Sequence, residues 1–526
     1  MELERFLHDL HFDTGKVFPP DWQVDWEDAP LPYKLYYGLS EIMLTQYVPL
    51  LIEKRDAYVA PSLAELGQLL WYVYGLTQYS QTVLNEENKE EGVNYTQSLR
   101  RFVPSGGALY PNELYVYIKL ESVQEGVYHY DVAHHRLKLL REGNYDSYLS
   151  RSLKNGCDIS DCFCTVFVST VFWKNFYKYN NFSYRLQGLD AGVLIGQLLE
   201  VSSQMGFSSR VCYQFLDRSI NHLLGLSEQE ESVYAIIPLS INYSIKCGEN
   251  DNRKEIVSAS ELCREVPLLM HPSYNRSKRV IDYPMLRKLN EASMFETTRS
   301  FVKIKKTDSV KCSLGTKLTF LPITKGLSYD LASVSRKRYS PDIDFIIGKV
   351  SQIQLSTLLK ETFSFSYQND LDDIHGNEEN RVTLYGCFYN VEGVPNGVYA
   401  YENCVHALKK ITQGDYRKFL QNGLILPNVN LYQVPLCMHV VGDKGHLKEY
   451  LGYRGYRIQQ MEAGILVQRL LLVSCALGMG GHPLLGFDSK KCDKLYRIDS
   501  KEKTSLIQIP VGPYRPRAWL KGSLLT

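Results

Sequence analysis

The chain lacks an excess of charge of either sign. Lys plus Arg number 59 and Asp plus Glu 58, for a formal net charge of +1. That balance exerts no long-range pull on nucleic acid or on an anionic membrane, so neither is an expected partner. No apolar run reaches the roughly 18 residues of a membrane span. The start, MELERFLHDLHFD, lacks the basic flank and apolar core of a signal peptide. The 12 cysteines are scattered without a CxxC pair, and no Cys/His group has zinc or iron–sulfur spacing. Buried, reduced thiols, a cytoplasmic location and no metal are therefore expected. No GxGxxG follows a strand-like run. GMGGHPLLG from Gly478 follows a helical pattern and lacks the context of a Rossmann dinucleotide site.

What is present is ample for folding. The 526 residues, at about 150 per domain, call for two or three domains. Apolar residues at 44% and charged residues at 22% exclude intrinsic disorder. Tyrosine is abundant, with 38 residues, which suits extensive interfaces or a flat aromatic ligand.

The chain also repeats itself. YRLQGLDAGVLIGQLLEVSSQMGFSSR from Tyr184 returns as YRIQQMEAGILVQRLLLVSCALGMGGH from Tyr456, and 11 of 27 positions are identical without a gap. GVYHYDVAHHRLKLL from Gly126 returns as GVYAYENCVHALKKI from Gly397. The two offsets are 272 and 271 residues. Two copies cannot form a solenoid, so they read as a fused dimer with a pseudo-two-fold axis. Each copy mixes strands and helices without a βαβ rhythm, which predicts an α+β fold. The 184–205 stretch is apolar nearly all round and should be a central buried helix. The expected boundaries are an N-terminal extension 1–30, a first half 31–241, a connecting segment 242–325 and a second half 326–526. The connecting segment, with NDNRKE, NRSKRV and VKIKK, reads as a solvated connection or as a cover over a binding site.

Three stretches could do chemistry. In RRFVPSGGALYP, from Arg100, two prolines bracket Ser105, Gly106 and Gly107 ahead of a strand. Glycines permit close backbone approach and leave N–H groups for a flat polar ligand, and Ser105 adds a hydroxyl. An ordinary turn has the same composition. The second half has no PSGG. Instead it has SVSRKRYSP, Ser333 to Pro341, and ends in VGPYRPR with Arg515 and Arg517. Arginine forks suit phosphate oxygens, although solvated charge runs look alike. The halves differ in complementary ways, which predicts one composite site between them. Asp190 and Glu462 occupy equivalent helix positions and should pair with Arg185 or Arg457, or cap backbone across the interface. His134 and His135 should sit solvated in a hairpin.

With PSGGALYP, the GVYHYD hairpin, KYxxxxYR ending at Tyr184-Arg185 and the repeated xxAG helix, the chain resembles the SagB-type, or McbC-like, dehydrogenases of the nitroreductase superfamily. The resemblance spans about 30–240 and 330–520. It implies tandem nitroreductase-like domains forming an intrachain pseudo-dimer around FMN. Ser335, Arg336 and Arg338 would match the entry motif at the flavin phosphate, completed by Arg515 and Arg517. Pro104, Ser105, Gly106 and Gly107 would approach the flavin from the other half. Gly480 and Gly481 would offer backbone N–H groups near the ring edge. Lys178 and Tyr179 form a pair that such proteins place near substrate, and their counterparts at the 272-residue offset are Tyr450 and Leu451. The implied reaction oxidises thiazoline or oxazoline rings of a ribosomal peptide to thiazoles or oxazoles. A precursor peptide and a cyclodehydratase complex would be the partners, and oxygen the final electron acceptor. A general NAD(P)H-dependent nitro or quinone reductase is the second expectation, and a flavin-poor scaffold of a biosynthetic complex the third.

Overall fold

The computed structural model describes residues 2–19, 21–55, 59–84, 94–154, 157, 159–242, 245, 256–304, 318–372, 381–516 and 520–523. The strands are β1 (Glu41–Met43), β2 (Leu76–Leu84), β3 (Asn94–Arg101), β4 (Asn112–Ile118), β5 (Gly126–Asp131), β6 (Arg136–Glu142), β7 (Cys162–Val171), β8 (Ser208–Val211) and β9 (Glu231–Ser240). They continue as β10 (Leu318–Phe320), β11 (Gln368–Asn369), β12 (Thr383–Phe388), β13 (Gly397–Glu402), β14 (Ala407–Gln413), β15 (Leu436–Asp443), β16 (Gly480–Gly481), β17 (Lys503–Gly512) and β18 (Leu520–Ser523). The helices that position the site are α1 (Glu2–Phe12), α2 (Leu63–Tyr74), α3 (Trp173–Tyr179), α4 (Ser183–Gln204), α5 (Leu331–Lys337), α6 (Gln352–Phe363) and α7 (Arg454–Ala476).

The fold is α+β, built on two large sheets. One runs β1-β6-β5-β4-β7-β9-β8-β11 and the other β10-β14-β13-β12-β15-β17-β16. The order is the same from each edge hairpin inward, and so is the register. Asn112 of β4 faces Thr170 of β7, and Thr383 of β12 faces Val441 of β15. Both residues of the second pair lie 271 positions beyond the first. Strands β4 and β9 are buried at every residue, which is why NELYVYI and ESVYAIIPLS read as nearly unbroken apolar runs. Capping boxes start α2 at Ser62/Glu65 and α6 at Ser351/Gln354, where each serine satisfies an otherwise orphaned helical N–H.

Helices α4 and α7 cross at the centre with their backbones in contact. A Cβ at Gly192 would lie 2.0 Å from the Met461 carbonyl oxygen, and one at Gly464 would lie 2.3 Å from that of Leu189. Only glycine admits that approach. The Tyr184 and Tyr456 rings stack with centroids 6.3 Å apart. Arg454 and Arg457 both reach the fully buried Asp217, at 2.6 and 3.2 Å. A buried carboxylate needs such partners, and here they come from the far half of the chain.

Two strands also cross over. The short β11 adds in parallel to β8, with Gln368 opposite Arg210. Near the other end, β18 pairs with β2 of the β2–β3 hairpin. Residues 256–304 of the connecting segment fold rather than float. Their helix Pro284–Ala292 buries Leu286, Leu289 and Asn290, and Asn290 receives a hydrogen bond from Arg457. Residues 2–19 and 21–28 touch both halves. Trp22 meets Phe176 edge-on, while His11 Nε2 lies 2.8 Å from Thr504 Oγ1. Among the described residues no helix is long and apolar enough to cross a membrane, and no group of His, Cys, Asp and Glu could hold a metal ion.

Candidate active site

The loop after β3 is held from below by α4. Ser105 Oγ donates to Asp190 Oδ2 at 2.7 Å, and the Gly106 N–H reaches Asp190 Oδ1 at 3.2 Å. The Tyr110 N–H in turn donates to Ser105 Oγ at 2.9 Å. Burial pushes the Asp190 carboxyl up to about 7, against the two hydrogen bonds that favour its charged form. Thus Asp190 caps backbone of its own half, neither pairing with Arg185 or Arg457 nor capping across the interface as expected, and Arg185 instead donates to the Leu506 carbonyl. Glu462 takes Arg381, not Arg457.

The clamp forces an unusual turn. Gly107 sits at φ +65°, and the following Ala108 and Tyr110 are also left-handed, at φ +57° and +48°. Such conformations cost about 1 kcal/mol or more each and persist where the surroundings impose them. Gly107 is exposed. A Cβ there would fall 2.5 Å from the Tyr179 hydroxyl and 2.8 Å from Lys178 Nζ. The glycine loop and the Lys-Tyr pair therefore share one spot, although about 70 residues separate them in sequence. Both side chains are half-buried at the end of α3. Lys178 Nζ stands 5.1 Å from the centres of the Trp26 and Tyr179 rings. Burial lowers the lysine and raises the tyrosine, so the amine is the easier of the two to deprotonate.

A second cluster lies at the other end of the same loop. Arg338, buried just past α5, donates from Nε to the Phe102 carbonyl at 3.1 Å and from Nη1 to Ser340 Oγ at 3.3 Å. Burial, and then the nearby Arg100 cation, bring Arg338 down to about 9. Arg100, the penultimate residue of β3, lies 6.0 Å from the centre of the Tyr339 ring and buries an Nη2 that has no hydrogen-bond partner among the described residues. Neither arginine forms an ion pair among the described residues. Two like charges from opposite halves, Arg338 buried and Arg100 half-buried, with no carboxylate partner among the described residues, fit a phosphate dianion. That is the group by which FMN would be gripped. Tyr514 leans on Tyr339 at 5.5 Å, and a Cβ at Gly480 would lie 2.9 Å from Tyr514. From Phe102 to Gly107 the chain spans at most about 17 Å, so the arginines and the Lys-Tyr pair border one loop.

The remaining expected residues divide. Gly480 and Gly481 form β16, paired with Gly512 and Val511 beside this cluster, and Pro104 is half-buried at the loop's entry. Ser335 and Arg336 face away. Ser335 Oγ accepts from Gln197 at 3.2 Å inside the helical core, and Arg336 Nη1 donates to the Leu50 carbonyl and the Tyr72 hydroxyl, each at 2.9 Å. Arg515 is exposed and uses its backbone N–H on the Asp344 carbonyl. Arg517 lies outside the described residues. Sequence reasoning gave Arg100 no role. Its signal was position: it adjoins PSGG, on a strand that would carry it toward the other half.

The matching place in the second half is built differently. By the strand register, Arg381 stands where Tyr110 stands in the first half. Arg381 Nε donates to Glu462 Oε1 at 2.7 Å, and its fork also pairs with Asp372. The carboxylate that clamps a glycine loop on one side thus clamps an arginine on the other.

Residues 59–239 match the nitroreductase family. A solved structure from Anabaena variabilis, named as a nitroreductase, superposes with a TM-score of 0.74 over 98% of this chain and 99% of its own, at 20% identity. This likeness is one of fold. The trifolitoxin-processing protein TfxB of Rhizobium leguminosarum bv. trifolii is 36% identical over 110 residues, covering 18% of this chain and 27% of its own length. The microcin B17-processing protein McbC of Escherichia coli is 27% identical over 153 residues, covering 28% and 54%. The chain thus spans about a quarter and about half of these relatives.

Proposed function

We propose that the chain is an FMN-dependent dehydrogenase that oxidises thiazoline or oxazoline rings of a ribosomal peptide to thiazoles or oxazoles. In this reading it is a fused pair of nitroreductase-like halves, 31–241 and 326–526, sharing one composite site. The observation that carries the reading is the convergence of Lys178 and Tyr179 on Gly107, with the unpaired Arg100 and Arg338 bordering the same loop. The likeness to a trifolitoxin-processing and a microcin B17-processing protein supports the choice of substrate class. By the same likeness the partners would be the precursor peptide and a cyclodehydratase complex.

Arg100 and Arg338 would hold the phosphate, and Ser105, Gly106 and Gly107 would present backbone toward the flavin. Gly480, Gly481 and Arg515 would lie at its rim. Ser335 and Arg336 keep the helical wall behind them in place. When bound, FMN supplies the two-electron acceptor for the hydrogen that leaves as hydride. Oxidising an azoline also releases a proton. Lys178, lowered by burial, would take it as the neutral amine. The Tyr179 phenol stays protonated and would donate a hydrogen bond to the ring heteroatom or a water. Trp26, 59% exposed beside the lysine, leaves an aromatic face for the substrate.

The test is the absorbance spectrum of the purified protein with mass identification of the released cofactor, then turnover of an azoline peptide. One FMN per chain and azole formation support the proposal. Two FMN per chain would refute the single composite site. No flavin after reconstitution would refute the enzyme reading. NADH-driven reduction of nitroarenes or quinones without azoline turnover would favour the general reductase.

A further inference from the structure

A second cleft, of about 630 Å³, opens between α1 and the segment leading into α7. Residues 444–459, which line much of it, lie 272 positions beyond 172–187, the segment that carries Lys178 and Tyr179. In the first half the space against that segment is filled by aromatic side chains of the N-terminal wrap. Phe18 packs on Phe182 and Trp22 on Phe176. In the second half α1 covers the counterpart but does not fill it.

The cleft's walls are apolar and aromatic, with Leu7, Phe12, Leu447, Tyr453 and Tyr456 among the lining residues. Its volume suits a small organic molecule. Tyr456 is 4% exposed, and its hydroxyl is buried without a hydrogen-bond partner among the described residues. Leaving such a group unpaired costs about 1–3 kcal/mol. Close to this phenol is the fully buried Arg185, whose cation acts on the hydroxyl and forms no ion pair among the described residues. A nearby positive charge orients the hydroxyl to donate outward, so the complementary ligand group is an acceptor. The rim selects against anions. Lys448 pairs with Glu4 and Lys444 with Asp499, which leaves Asp443 and Glu449 exposed and in excess. His11 and His446 are both lowered by burial and add no charge at neutral pH, and His8 at the mouth lies 3.3 Å from Asp9.

We propose that this cleft is a second binding site, distinct from the Lys178 site, for an uncharged aromatic molecule carrying a carbonyl or similar acceptor that accepts from Tyr456. It does not rest on the function proposed above.

The probe is 6-propionyl-2-(dimethylamino)naphthalene, a neutral aromatic ketone whose emission shifts to the blue in an apolar site, titrated against the full-length protein. Saturable, blue-shifted binding at one per chain is expected, unchanged in Lys178→Ala. Tyr456→Phe should weaken it about fivefold, the size of one lost hydrogen bond. Leu7→Trp, which fills the cleft, should abolish it. Because Leu7 is buried, His8→Trp at the exposed mouth is the second blocking variant, with thermal midpoints confirming that both fold. Non-saturable binding, or binding indifferent to both tryptophans, would overturn the proposal. Tighter binding of 2-naphthoate than of the ketone would overturn the neutral-ligand assignment.

Discussion

Asp190 and Ser105 stand 85 residues apart in sequence, and the serine hydroxyl donates to the aspartate at 2.7 Å. That bond ties the central helix to the glycine loop, so the site's shape depends on a carboxyl inside the protein. Its neighbours make its ionisation a stability question. The folded-state value, about 7, is raised above the usual carboxyl range near 4. The native state therefore binds the proton more tightly than the unfolded chain does. This contribution is fully present below about pH 4 and is lost as pH rises through about 7. Urea unfolding should show wild-type stability falling between pH 5 and pH 8. Asp190→Asn should flatten that slope. An identical slope in the variant would show that Asp190 does not titrate in this range.

Gly107 faces two constraints at once, a left-handed backbone and contact with Tyr179 and Lys178. Gly107→Ala should cut azoline turnover by about 100-fold or more, because it displaces the two groups proposed to act on substrate. The stability loss should be only about 1 kcal/mol, the backbone cost alone. Gly106→Ala is the control. Its Cβ would meet only the flexible end of Leu186, at 2.9 Å, so a much milder loss of turnover is expected. Equal losses in the two variants would remove the special role given to Gly107.

Arg100 and Arg338 repel each other until an anion arrives. Arg100→Gln should therefore leave the flavin-free protein as stable as wild type or more so, while weakening FMN about tenfold or more. Inorganic phosphate should raise the thermal midpoint of the flavin-free wild type by mass action, and should not do so in the variant. A variant that keeps both the phosphate response and FMN affinity would rule out the arginine pair as the phosphate grip.

Lys178 as a base predicts a pH profile. If the neutral amine takes the proton, kcat/KM rises with pH up to a pKa below the usual lysine value near 10.4, because burial disfavours the cation. Lys178→Ala should lose about 100-fold or more in turnover and lose that limb of the profile, while retaining FMN. Lys178→Arg should not restore it, since a guanidinium does not deprotonate in this range. A wild-type limb surviving in Lys178→Ala would assign the proton to another group.

Much of this was legible in the sequence because repeats report register. Offsets of 271 and 272 residues reappear as matching strand pairs, Asn112 with Thr170 and Thr383 with Val441. The PSGG and Lys-Tyr signals sit on one loop and one helix end, where local composition speaks for itself. The direction of side chains around SVSRKRYSP was harder. Arg336 and Arg338 are two residues apart, about 200° around a helix, so a helical reading would have shown that they cannot share a ligand. Pairing Asp190 with Arg185 or Arg457, or with backbone across the interface, misses its true partner, because no sequence pattern announces a serine 85 residues upstream. His135 was expected in solvent. It is half-buried against Trp71 and hydrogen-bonded to Tyr130, and burial lowers it to about 4. A hairpin turn alone does not reveal that α2 covers it.

The second half's substitute for the glycine loop makes a separable prediction. Glu462 is 6% exposed, and Arg381 is its ion-pair partner among the described residues. Removing the arginine strands a buried carboxylate, which costs about 3–5 kcal/mol. Because Arg381 stands on the side that lacks PSGG, Arg381→Ala should leave FMN at one per chain and leave azoline turnover within about twofold of wild type when assayed well below the unfolding temperature. Arg381→Met, which keeps volume without charge, should lose the same ion pair but pack better and recover part of the stability. Loss of FMN in either variant, with the fold intact by circular dichroism, would mean that the second half contributes its own flavin site and that the two halves are not functionally divided.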